Sequence, residues 1–360
     1  MNVLIIKNDG LGDLILTSGL ISYLGKEFAN VDLLTCDNNK EIATKIKYVN
    51  EIFYISRDAI REYSVLNMHR IKIPLKTALN NCKILRMNKT EQNILKKINS
   101  KNYDLIIVLR RFIRQSSLYL LDQIEAKEKL CMWEIPTNIS YNKAKELSKN
   151  SKHITSYNLK HYIRPELEYY EAVLSYYLQK TVYADPSLDI SNVYENHTKN
   201  VVALIISGSS IKIAAHHWKL LCQILNECGF QVLLLGGIED ISASIEIACD
   251  NLSVLNKVGQ YCFDDYSKIF SNVQYIIGND TGVTHFASLF HTKILVLLGG
   301  GTFRAFFPWR SLGPQHTLFH EMDCYNCGWR CTYHKKYECI EKIFMDRIFL
   351  KRKITEFLFS

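Results

Sequence analysis

A chain of 360 residues, 48% apolar and 22% charged, is long enough for two soluble domains that each bury a core. Its 44 Lys and Arg against 36 Asp and Glu leave a net charge of +8, which favours anionic partners without choosing among nucleotides, phospholipid surfaces and nucleic acid. No apolar run approaches the roughly 20 residues that span a bilayer, and Met1–Lys7 is too short for a signal peptide. The expected location is therefore the cytoplasm, at most peripheral on the inner membrane face.

Asn2 to Lys7 reads as a buried strand, followed by the turn Asn8-Asp-Gly-Leu-Gly-Asp13 and a helical pattern from Leu14 to about Phe28. Strand, glycine turn and helix at a chain start is how a doubly wound α/β fold opens. Val31–Cys36, Glu51–Ile55 and Tyr103–Leu109 are further expected strands, with a helix over about Asn39–Lys47. Between Arg57 and Arg114 stand fourteen Lys or Arg against four Asp or Glu, so this half should carry a positive field. Ser140–Lys160 reads as a polar surface excursion, Arg164–Gln179 as a helix with Pro165 at its start, and Asp185–Asn200 as a linker.

A second β-α alternation starts at Val201–Gly208. It runs on through a helix near Trp218–Glu227, the strand Gln231–Leu235, helices near Ile241–Cys249 and Asp264–Ser271, and strands at Tyr275 and Ile294. The chain ends in an amphipathic helical pattern over Ile340–Leu358. The two halves share one beginning, which points to two similar α/β domains facing one another.

Several polar groups lie where such a fold binds ligands, at the carboxyl ends of parallel strands. Asp13 closes a Gly-x-Gly-Asp turn beside Gly12; it reads either as a helix cap or as a general base for an acceptor hydroxyl. The third glycine of a dinucleotide fingerprint is missing, which argues against NAD. In the second half, Thr281 and Gly282 would offer backbone N–H groups to a diphosphate, Asp280 suits a sugar diol, and His285 lies one turn further on. Glu239 could hold a ribose diol. Ser207 and Lys212, with His216, His217 and Lys219 around Trp218, are candidates for phosphate. No Asp-x-Asp occurs in the chain, so helix ends and cations, not a divalent metal, are expected to meet the diphosphate charge.

Eleven cysteines suit reduced thiols better than a disulfide framework. Four of them, Cys324, Cys327, Cys331 and Cys339, have the spacing of metal ligands, and a structural zinc or iron is one reading; thiols bracing a loop is the other.

The Met1–Leu20 start with Gly12-Asp13, and Asn279-Asp-Thr-Gly-Val-Thr-His285 followed by Ala287 and Gly299-Gly-Gly-Thr302, resemble glycosyltransferase family 9. Its best-known members are the ADP-heptose heptosyltransferases of lipopolysaccharide core assembly. The resemblance implies a GT-B fold, two Rossmann-like domains facing across a cleft. Residues 1–185 would bind the acceptor, 186–340 the nucleotide sugar, and the 341–360 helix would pack back on the first domain. It implies inverting transfer without a catalytic cofactor, with Asp13 as base, Thr281 and Gly282 at the phosphate and Glu239 at the nucleotide. The family's usual lysine before the domain's tryptophan is His216 here, with Lys212 upstream. ADP-heptose is the expected donor and a glycolipid or glycan hydroxyl, such as lipopolysaccharide core or O-antigen, the expected acceptor; nucleic acid is not expected. A protein acceptor, a nucleotide-sugar epimerase and a non-catalytic nucleotide-sugar binder are the rival readings.

Overall fold

The computed structural model describes residues 1–56, 88–111, 120–121, 123–132, 153–154, 165–190, 198–208, 211–249, 251, 253–310, 314–333 and 335–360. Much of the basic stretch and the Ser140–Lys160 excursion lie outside the described residues. The chain divides into two compact units, Met1–Asp189 and Ile190–Ser360.

The first unit is built on a six-stranded parallel sheet in the order β3-β2-β1-β4-β5-β6. Its strands are β1 (Asn2–Lys7), β2 (Asn30–Cys36), β3 (Ile52–Ile55), β4 (Tyr103–Val108), β5 (Ala126–Cys131) and β6 (His153–Ile154). Val3 to Ile6 are all buried, as an unbroken apolar run must be when both faces of a parallel sheet are covered. Helix α1 (Leu11–Glu27) follows β1 and is buried from Leu14 to Leu20 on every side, with Thr17 and Ser18 returning their hydroxyls to the helix's own carbonyls. Gly19 is required there: a Cβ would lie 1.7 Å from the backbone oxygen of Asp185. Gly19→Ala is expected to cost about 1–3 kcal/mol, read as a lower urea midpoint with unchanged slope.

Helix α2 (Lys40–Ala43) is a single turn after a 3-10 turn at Asp37–Asn39, much shorter than the pattern implies. Buried Asn39 explains this, because its side chain donates to Thr35 and to the backbone of Asp9. Those bonds tie the segment to the end of β2 and to the turn after β1. Helix α3 (Lys89–Asn99) opens with Asn88 accepting from the Glu91 N–H and Glu91 returning to Asn88, a reciprocal cap. Helix α4 (Glu166–Leu178) ends at Gln179, which takes the left-handed conformation.

The second unit repeats the plan in the order β12-β11-β10-β7-β8-β9. Its strands are β7 (Thr198–Ile205), β8 (Gln231–Leu235), β9 (Val254–Asn256), β10 (Val273–Asn279), β11 (Lys293–Leu297) and β12 (Gln315–Leu318). The helices are α5 (Ala215–Glu227), α6 (Ile241–Ala248), α7 (Phe263–Asn272), α8 (Gly282–Ala287), α9 (Glu338–Phe344) and α10 (Arg347–Phe359). In each sheet the first strand pairs with the second on one side and with the fourth on the other, so each has a switch point there.

Leu350, Ile354, Phe357 and Leu358 of α10, the C-terminal helix, lie in the second unit's core with Trp218, Leu221 and Tyr275. Tyr275 Oη donates to the Leu358 carbonyl at 2.6 Å. The physical reason is the apolar spacing of three and four residues, which makes one stripe that the α5 side of that sheet buries. The expected single helix is also two, because Asp346 caps α10 with bonds to Ile348 N and Phe349 N. Among the described residues no helix is long and apolar enough to cross a membrane.

Candidate active site

The first switch point places Asn8–Asp13 after β1 beside Leu109–Arg111 after β4. Asp13 stands in the first turn of α1, half-buried, and accepts the Gly10 N–H at 3.1 Å. Asp13 thus caps its helix, and capping and general-base roles coexist, since a carboxylate has several lone pairs to share. Gly12 adjoins it on α1, in the first unit. Beneath this turn lie charged groups that sequence patterns do not reveal. Lys7, fully buried, donates to Asp9 and to the Leu109 carbonyl, both at 3.0 Å. Arg111 and Glu166 are buried with it.

The second switch point lies between β7 and β10, where Ile205 pairs with Gly278. Ser207, just after β7, and Asn279, the last residue of β10, are therefore neighbours at the sheet edge. Gly278 is required by packing, since a Cβ would lie 2.6 Å from Thr284 Oγ1. Asp280 and His285 come together, with Nε2 of the imidazole 3.2 Å from Asp280 Oδ1. The imidazole is buried and stacked on Phe307 at 4.3 Å between centroids, with Trp309 at 5.6 Å. Thr281 is the N-terminal cap of α8, with its hydroxyl 3.2 Å from that of Thr284. Among the described residues Ser207 Oγ, Asn279 Oδ1, His285 Nδ1 and Trp309 Nε1 are buried without hydrogen-bond partners. Such atoms carry a desolvation cost that a ligand or water relieves. Asn279 and Trp309 were not foreseen as site residues; only the extra polar position at the strand end signalled the first.

At the end of β8 the two acids separate. Glu239 is exposed, whereas Asp240 is buried and accepts Gly237 N–H at 3.1 Å. Lys212 Nζ lies 3.2 Å from Asp240 Oδ1 and 3.4 Å from the Glu239 carbonyl, its side chain still more than half exposed. The Lys212–Asp240 pair is what orders this corner, and sequence reasoning missed Asp240. His216 is exposed at the surface, but the neighbouring His217 is not. It is buried and stacked on Phe344 at 4.3 Å, and burial, then the neighbouring His216, lowers its pKa.

The cysteine segment is joined to the loop after β11. Gly300 N–H donates to Cys339 Sγ at 3.3 Å, Tyr337 N–H donates to Cys331 Sγ at 3.4 Å, and Trp329 and Tyr325 pack so closely on Gly299, Gly300 and Gly301 that no Cβ fits. Asp323, Cys324, Tyr325, Cys327, Thr332 and Tyr333 line a cavity of about 380 Å³. Burial first, and the neighbouring thiols after it, push Cys324 up. Cys339 is pushed up by burial, with neighbouring thiols adding to it. Yet among the described residues no group of three or more His, Cys, Asp or Glu side chains could hold a metal ion. For the expected zinc or iron on Cys324, Cys327, Cys331 and Cys339 the described residues thus offer no ready set of ligands, and Cys331 and Cys339 instead accept backbone N–H bonds.

Two parallel six-stranded sheets, each with a polar turn at its switch point, define a doubly wound protein of the nucleotide-binding class. Residues 92–336, more than half of the chain, match the model of glycosyltransferase family 9 (heptosyltransferase), and the chain belongs to that family. It is a glycosyltransferase of GT-B fold. Among solved structures, it is similar to a family 9 glycosyl transferase from Veillonella parvula at 16% identity, covering 100% of this chain and 97% of that one, with a TM-score of 0.66. It is likewise similar to E. coli heptosyltransferase WaaC with ADP-2-deoxy-2-fluoro heptose, at 15% identity over 99% of both chains and a TM-score of 0.61. A third is the iron-containing dodecameric glycosyltransferase TibC from enterotoxigenic E. coli, at 11% identity over 100% of this chain and 77% of that one, with a TM-score of 0.53. No curated protein matches the sequence.

Proposed function

We propose that this glycosyltransferase inverts the anomeric centre of a nucleoside-diphosphate sugar, with heptose from ADP-heptose as the preferred donor. The acceptor is a hydroxyl of a bacterial surface glycan such as lipopolysaccharide core or O-antigen. Asp13 removes the acceptor proton, the oxygen attacks the anomeric carbon, and the electron pair of the breaking bond leaves on the diphosphate. Thr281 and Gly282 meet the phosphates through backbone N–H groups, and Asp280, aligned by His285, accepts a donor hydroxyl. Lys212 and His216 supply the positive charge nearby, with Ser207 at the adjoining strand end and Glu239 toward the ribose. No step is routed through a metal at the cysteine segment.

The observation that carries this reading is the pairing of Asp280 with His285 after β10 at the second switch point, with Asp13 after β1 at the first. A carboxylate repels a diphosphate, so an acid placed here suits hydroxyls. Incubating the enzyme with donor alone, then with donor and an acceptor glycolipid preparation, tests the reading. Nucleoside diphosphate release is expected to depend on acceptor, with the recovered donor sugar unchanged. An isomerised sugar from donor alone would mark an epimerase, and binding without release a non-catalytic binder.

A further inference from the structure

Exposed apolar side chains scattered singly are ordinary, but grouped ones mark a surface that something covers. Among the described residues every exposed Ile, Leu, Met or Phe apart from Met1 belongs to the second unit. Leu255 stands alone on the edge strand β9, and the rest form two groups. The first is Ile238, Ile241 and Ile245, whose spacing of three and four residues sets them on one outer face of the 3-10 turn Ile238–Asp240 and of α6. The opposite face of α6 is buried through Ser244 and Ile247. A Cβ on Gly259 would lie 3.0 Å from Ile241 Cδ1 and 3.4 Å from Ile238 Cα, so the two isoleucines share one continuous surface. The second group is Met345, Ile348 and Phe349 at the start of α10, with Phe359 further along it. It lies opposite the core stripe of Leu350, Ile354, Phe357 and Leu358. A helix apolar on both sides is one whose outer side also has a partner.

Charge distinguishes the two faces. Exposed Glu239 and Glu246 flank the first, no Lys or Arg occurs from Gly236 to Asn256, and Lys212 is held there by Asp240. Around the second, Arg347 and Lys351 share Glu227, while Arg352 and Lys353 share Glu356. With the capping Asp346 this makes four cations against three acids, so that rim is positive. We propose that the acid-rimmed ridge of Ile238, Ile241 and Ile245 in one copy of this chain seats on the base-rimmed patch of Met345, Ile348 and Phe349 in the next. A face set against its own like would bring equal charges together, whereas a second copy offers each face the opposite rim. An anionic bilayer would cover the basic patch alone and leave the acidic ridge bare. The contact is heterologous, so copies join head to tail, into a ring or an open chain.

Sedimentation velocity on the full chain at micromolar concentration tests this. The wild type is expected to sediment as species larger than a monomer, which dissociate on dilution and more readily as salt is raised. Ile245→Asn and Ile348→Asn, at side chains 63% and 84% exposed, each damage one face without touching the core. Each is expected to raise the dissociation constant at least about tenfold. Mixed in equal amounts, the two variants should restore a dimer and nothing larger, because each keeps the face that the other has lost. Glu246→Lys, which leaves every apolar contact in place, should weaken association as well and serves if an Asn variant does not fold. A wild type that is monomeric at every concentration, single variants of wild-type mass, or folded variants whose mixture stays monomeric would overturn the proposal. A monomer that pellets with anionic phospholipid vesicles and loses this with Ile348→Asn would assign the basic patch to a lipid surface instead.

Discussion

Asp13→Asn is expected to lower kcat at least about a hundredfold while donor binding stays within about a factor of two. The amide is the same size, and its oxygen can still accept the Gly10 N–H that the carboxylate accepts at 3.1 Å, so α1 keeps its cap. What the amide cannot do is take a proton. A drop in kcat with an unchanged donor dissociation constant therefore separates the chemical role from the capping role. The same variant with a lowered melting temperature and full specific activity would show that Asp13 is a cap and nothing more. Calorimetry with donor and a turnover assay on one preparation decide between these outcomes.

Asp280→Ala is expected to weaken binding of the nucleotide sugar roughly 10- to 100-fold and to leave the bare nucleoside diphosphate almost unaffected. The carboxylate is the group 3.2 Å from His285 Nε2. Without it the buried imidazole has neither nitrogen paired, since its Nδ1 is already without a partner among the described residues. The imidazole would keep its stack on Phe307 and Trp309, so the fold should survive. If Asp280 reads a sugar hydroxyl, the loss appears only for ligands that carry the sugar. Equal weakening of both ligands would place Asp280 at the phosphates or the nucleoside.

The strands that position the sites were legible for a simple reason. Val3–Ile6 and Ile276–Ile277 are apolar without alternation because both faces of a parallel sheet are covered. Where a strand carries charge or lies at an edge, that signal fails. Ala126-Lys-Glu-Lys-Leu-Cys131 opens with charged residues yet forms β5, and the polar Gln315-His-Thr-Leu318 forms the edge strand β12; neither was foreseen. Asn39 shortened the expected second helix by bonding to the backbone after β1, a tertiary contact that no local pattern carries. The two halves of the site differ in the same way. Asp13, Thr281 and His285 could be singled out because they stand at fixed places in strand–turn–helix motifs. Glu166 and Lys7 could not, because 159 residues of chain separate them and only the fold makes them neighbours. Glu239 and Asp240 are adjacent in sequence, and burial alone shows that Asp240 organises the turn.

The central claim is that the chain transfers a sugar from a nucleoside diphosphate to a hydroxyl with inversion and without a catalytic metal. The most direct test is a donor panel of ADP-heptose against UDP-, GDP- and other ADP-sugars, assayed with acceptor in the presence of a metal chelator, with the product's anomeric configuration read by NMR. The expected result is acceptor-dependent ADP release from ADP-heptose above the other donors, with the configuration inverted. Retention of configuration, or no release from any donor with a competent acceptor present, would contradict it.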